Sequence, residues 1–108
     1  MKRVLFFSLL LYVLDLHASI YKGQMLYVEK CVSCHEDRQN FIVTKTQAQW
    51  LKLMKDQGSN LAIVHIVSKK AKKSHTYFKG KMYEKNSKHL KQFLVEYAKD
   101  SGKIPACN

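Results

Sequence analysis

Acidic side chains are scarce in this chain: 8 Asp and Glu stand against 19 Lys and Arg, a formal charge of +11. A basic excess of that size suits nucleic acid, an anionic membrane surface or an acidic protein as partner. Turn-forming residues are scarce too. Proline occurs once, as Pro105, and glycine four times. There is no Pro/Gly-rich linker and no internal repeat, so the 108 residues make one domain at most. Nothing reads as the strands of a βαβ unit, the usual setting of a thioredoxin-type dithiol. Cysteine occurs three times, without a second Cys pair, and His65, His75 and His89 are scattered. A structural zinc site, which needs four ligands at fixed spacing, is therefore left without support.

What is present begins with a short basic start, Met1-Lys2-Arg3, followed by the apolar run Val4 to Leu14 and then by Asp15 and Ala18. This is the layout of a secretory signal peptide with cleavage near Ala18. The run is short of the roughly 20 apolar residues that span a bilayer. The alternatives are a buried helix of the mature fold or an uncleaved N-terminal anchor. No cysteine stands just after the run, so lipid attachment there has no support. Residues 1–18 are assigned to the signal and 19–108 to the domain, which keeps 17 basic and 7 acidic residues, formally +10. Export argues against nucleic acid and leaves acidic proteins, or contact with an anionic membrane, as partners. A mature chain of about 90 residues buries a modest fraction of its surface and benefits from a disulfide, a metal or a cofactor.

The patterning of the mature chain is all-α. Ile20 to Lys30 reads as an opening helix, with Met25 as a packing residue. Thr46 with Gln49 forms a capping box before a helix carrying Trp50, Leu51, Leu53 and Met54, and Gly58 is its stop. The run Leu61 to Val67 is apolar enough for a short buried helix or, as the second choice, a strand. Lys69 to Lys85 is expected to be mostly loop. Ser87 is expected to cap a last helix reaching about Asp100, with Leu90, Phe93, Leu94 and Tyr97 on one face.

The chemistry is carried by Cys31-Val32-Ser33-Cys34-His35. Three readings fit the residue types: a redox dithiol, part of a zinc site, or the attachment point of a c-type haem. The haem reading accounts for every part. Two thiols add across two vinyl groups, two intervening residues let one backbone turn present both sulfurs, and His35 then reaches the iron. It also agrees with export, and is preferred over the other two.

With Gly23-x-x-Leu26-Tyr27 ahead of that motif, a closing helix carrying Leu90, Leu94 and Tyr97, and Met82 in Lys79-Gly80-Lys81-Met82-Tyr83 shortly before it, the chain resembles the small single-haem class I cytochromes c. The resemblance implies an all-α domain wrapped around one covalent haem, with Cys31 and Cys34 as attachment sites and His35 as proximal iron ligand. It also implies a close crossing of the first and last helices at Gly23 and Tyr97, and Met82 as distal ligand. Two departures stand out. The proline loop whose carbonyl orients the family's proximal histidine is missing, since Pro105 is the only proline, and the middle of the chain does not align.

His65 is the rival distal ligand, because an imidazole within an apolar run needs a partner; an open sixth position is the third possibility. Trp50, Phe78 and Phe93 are expected in the core or against the haem. Cys107 has no internal partner and is either a free thiol or an intermolecular bridge. The expected function is a periplasmic carrier of single electrons, not an enzyme. Lys69, Lys70, Lys72, Lys73, Lys79, Lys81 and Lys85 would steer acidic redox partners. A haem-based ligand-binding or sensing module and a non-haem exported dithiol or metal-binding protein are the alternatives.

Overall fold

The computed structural model describes residues 2–104, with side chains described for residues 9, 12 and 14–104. Pro105 and Cys107 lie outside the described residues. Among these the fold is all-helical: α1 (Lys2–Lys30), α2 (Gln39–Ile42), α3 (Gln47–Leu53), α4 (Lys55–Ile66), a 3₁₀ helix (Lys69–Ser74), α5 (His75–Lys79) and α6 (Lys81–Glu96).

Packing is organised by α6 against α1, with α3 and α4 completing the other side of α6. Tyr83, Ser87, Leu90 and Leu94 recur at helical spacing along α6 and are buried, with Phe93 beside them. The helix crossing depends on Gly23. A Cβ there would run into the His89 carbonyl oxygen and lie 2.6 Å from Phe93 Cβ. The aromatic ring nearest the glycine thus belongs to Phe93, one turn before the expected Tyr97, which instead packs edge-on against Phe93 at 5.3 Å. Tyr27, four residues after Gly23, meets Phe93 with ring centres 5.6 Å apart.

The body takes hold of α1 at a definite point. Residues 14–18 are all exposed, as are Leu9 and Tyr12. Ser19 is the first half-buried residue among the described side chains, and its hydroxyl pairs with His89 Nδ1 at 2.9 Å. Met25, expected to pack, faces solvent. No helix among the described residues is long and apolar enough to cross a membrane.

The capping box is as expected. Gln49 N–H donates to Thr46 Oγ1 at 3.2 Å and Thr46 N–H donates to Gln49 Oε1 at 2.9 Å. The segment after α6 closes over this end of α3, where Gln47 N–H donates to Asp100 Oδ1 and Lys99 N–H to the Lys45 carbonyl. Asp56, Gln57 and Gly58 then take left-handed backbone angles, so the chain reverses where Gly58 was expected to stop it. Gly58 is tied down by the Tyr83 hydroxyl, which donates to its carbonyl at 2.6 Å; a Cβ at 58 would occupy the place of that hydroxyl.

Three expectations are corrected. Lys69–Lys85 is not loop but the 3₁₀ helix, α5 and the start of α6. Ser87 is a buried interior residue of α6 donating to the Glu84 carbonyl at 2.8 Å, and the cap position belongs to Gly80, two turns earlier. The helix starts early because Tyr83 continues the apolar stripe back to the Gly58 carbonyl. It ends at Glu96, short of Asp100. Finally, Leu61–Val67 is helical through Ile66, but only its Leu61–Ala62–His65–Ile66 side turns inward, while Ile63, Val64 and Val67 face out.

Candidate functional site

Cys31 follows directly on α1. Its N–H bonds the Tyr27 carbonyl at 2.9 Å, so the helical trace carries the first sulfur off the end of α1. Cys34 and His35 N–H groups both return to the Cys31 carbonyl, at 3.1 and 2.8 Å. The motif is therefore one closed turn with Cys31 half-buried and Cys34 exposed. Tyr27, 1% exposed, fastens the strap that follows by donating its hydroxyl to the Arg38 carbonyl at 2.7 Å. Arg38 takes a positive φ there, and α2 begins with the next residue.

This turn borders a cleft of about 360 Å³, within the usual range of small-molecule and cofactor sites. Its floor is Leu90 and Leu94 of α6 with Tyr27 of α1. One wall is Phe41, Trp50 and Leu53; the facing wall is Leu61, Val64 and His65 of α4 with Phe78 of α5. Cys31 and His35 close the near end and Lys45 stands at the edge. A second hollow of about 290 Å³ shares Cys31, His35, Val64, His65 and Phe78, and opens to Cys34, Lys30 and Lys70. Cys31 and both imidazoles thus line both of these mainly apolar hollows, and Cys34 lines the second.

Each imidazole is positioned by an aromatic ring. His35 stacks on Phe41, centres 3.8 Å apart and planes 17° from parallel. His65 stacks on Phe78 at 4.2 Å and 25°, and its Nδ1 meets the Leu61 carbonyl at 2.7 Å. Trp50 is anchored by its indole N–H, which donates to the Ile42 carbonyl at 3.0 Å, and it meets Phe41 edge-on at 6.0 Å. The Lys45 ammonium lies 5.9 Å from the Phe41 ring centre and 5.8 Å from that of Trp50.

Burial, followed by the neighbouring His65 and Lys45, lowers the His35 pKa and favours the neutral imidazole, whose free nitrogen is a donor to metal. Burial, with Cys34 adding to it, pushes the Cys31 thiol up to about 12. A redox dithiol needs the opposite, a thiol whose pKa is depressed. Nor do three His, Cys, Asp or Glu side chains converge anywhere among the described residues as a bare metal ion would require.

Met82 is not brought to this cleft. It lies in the first turn of α6, is 63% exposed, and is not among the cleft residues. His75 pairs through Nε2 with the Ser68 carbonyl at 2.9 Å. Trp50 and Phe78 line the cleft, whereas Phe93 is fully buried behind it. Phe41 and Lys45 were missing from the expected site. The available signal for Phe41 was an aromatic residue six positions after His35. Comparison of the chain with protein-family models, with curated proteins and with solved structures returned no match.

Proposed function

We propose that the protein is an exported single-haem c-type cytochrome that carries electrons one at a time between larger redox partners. The observation that carries this reading is an apolar cleft lined by Cys31, His35 and His65, with Cys34 on the adjoining hollow that shares those three residues. The residues present suit haem. Cys31 and Cys34 would each add S–H across a vinyl C=C, sulfur to one carbon and hydrogen to the other, with no leaving group. His35 would bind the iron from the near end. The bound group would supply reversible one-electron chemistry, alternating ferric and ferrous iron. Around it, Phe41, Trp50, Phe78, Leu90 and Leu94 would exclude water, which tunes the potential.

Export is supported by where α1 meets the body. Leu9, Tyr12 and residues 14–18 are all exposed, and the Ser19 hydroxyl pairs with His89, so cleavage near Ala18 would leave that contact in place. Partner choice follows from the exposed surface that begins at Val64, which borders the cleft. Ile63, Val64 and Val67 form an exposed apolar patch beside Lys69, Lys70, Lys72 and Lys73 of the 3₁₀ helix, all exposed. An apolar patch rimmed by cations suits brief docking of an acidic redox protein, steered electrostatically and weakened by salt.

The test is production in a host that exports the chain and attaches haem, followed by optical and potentiometric titration. A covalent haem spectrum with a single one-electron transition, and partner reduction that slows with ionic strength, is the expected outcome. A chain without a haem band and with two titratable thiols at Cys31 and Cys34 would count for the dithiol alternative.

A further inference from the structure

The sixth position of the iron decides whether such a protein only passes electrons or also binds small ligands. We infer that His65 of α4, and not Met82, is the distal ligand facing His35, which makes the centre a bis-imidazole one. This rests on the haem reading above.

Three observations on separate elements support it. The first is spacing. The His35 and His65 ring centres are 6.1 Å apart with planes at 80°. An imidazole nitrogen sits about 1.1 Å from its ring centre and about 2.0–2.1 Å from a bound metal, so two rings sharing one ion lie about 6.3 Å apart. Two imidazoles hydrogen-bonded to each other would be closer, about 5 Å. The observed 6.1 Å matches the spacing of two rings on one ion.

The second is the tautomer. With Nδ1–H donating to the Leu61 carbonyl at 2.7 Å, His65 keeps Nε2 as its lone-pair nitrogen. This backbone contact is the usual way a metal-binding histidine is oriented and made more basic. The carbonyl lies one turn earlier on the same helix, so the ring is held without any distant element. Phe78 then covers one ring face, leaving little freedom to swing away.

The third is the position of the rival. Met82 is 63% exposed in the first turn of α6. Its neighbour Tyr83 is fixed inward by the hydrogen bond to the Gly58 carbonyl. Bringing residue 82 to the cleft would require rotating that turn and breaking the bond.

The test compares wild type, His65→Ala, His65→Met and Met82→Ala, all produced with haem attachment and all scored for covalent haem by mass before any spectrum is read. Wild type and Met82→Ala should share a low-spin ferric spectrum lacking the red-end charge-transfer band of methionine sulfur on iron. His65→Ala should keep its haem, turn high-spin, return to low-spin on adding free imidazole, and bind carbon monoxide in the ferrous state at least about tenfold faster, since the open fraction sets access. His65→Met should gain the sulfur band and a higher potential, which keeps the assignment testable if the alanine variant does not fold. A sulfur band in wild type that vanishes in Met82→Ala, or a low-spin spectrum unmoved in both His65 variants, overturns it. Wild type exported without covalent haem defeats the underlying haem reading instead, and is recognised at the mass step.

Discussion

The two sides of α6 are built on opposite terms. On the side facing α1, backbone meets backbone at Gly23, Phe93 is wholly excluded from solvent, and there is no room for a single added carbon. On the side facing α3 and α4, Leu90 and Leu94 line an apolar cleft together with aromatic rings and with Val64, which is 55% exposed. A protein this small cannot leave so much apolar surface open without cost, since about 25 cal/mol is forgone per Å² left in water. The first side is closed packing that holds the fold together; the second is an open apolar cleft, and on it the haem proposal rests.

That division can be broken or sharpened by substitution. The largest effect is expected on the open side. Replacing Cys31 and Cys34 together by alanine should abolish covalent haem altogether, read by mass and by haem stain, while leaving the α1–α6 crossing intact by circular dichroism. On the closed side, Phe93→Ala should cost about 4 kcal/mol, the range for emptying a buried aromatic site, measured by urea unfolding. Gly23→Val should cost about 3 kcal/mol, because the neighbour that would have to give way is the His89 backbone. Tyr83→Phe removes one hydrogen bond and leaves the Gly58 carbonyl without its partner, at about 1.5 kcal/mol. Val67→Ser, on the open rim, should change stability by less than about 0.5 kcal/mol.

The smallest expected effect is one of pH. Burial, then Lys22 and Lys88, lowers the His89 pKa in the folded chain. The unfolded chain then takes up the proton more readily, so His89 detracts nothing above the ordinary imidazole range, near pH 6.5, and costs stability as pH falls through it. The urea midpoint should drop between pH 7.5 and 5.5, and His89→Gln should reduce that drop. An equal drop in wild type and variant would assign the dependence to other groups.

How much of this could be seen in the residues alone varied with the range of the interactions. The capping box at Thr46 and Gln49 is legible because both partners lie within one turn. The Cys31–His35 turn is local in the same way, since its N–H groups return to the Cys31 carbonyl within four residues. The start of α6 is not legible. Between Tyr83 and Leu90 the residues are polar or basic, and what makes Tyr83 part of the stripe is a carbonyl 25 positions away at Gly58. The place of Met82 was hidden for the same reason, since it follows from the helix beginning at Lys81. His65 was visible as an imidazole in an apolar run, but only the folded chain shows that it lies opposite His35. The outward turn of Val64 and Val67 was also hidden, because an apolar run looks the same whether it meets a core or borders a cleft.

The most direct measurement is the intact mass of the exported chain, recovered from cells with working haem-attachment machinery and treated with a thiol-alkylating reagent. The expected result is a chain beginning near Ser19, heavier by one haem, with Cys31 and Cys34 unavailable to the reagent. A chain of unmodified mass that takes up the reagent at both positions would contradict the proposal that this cleft is built to hold haem.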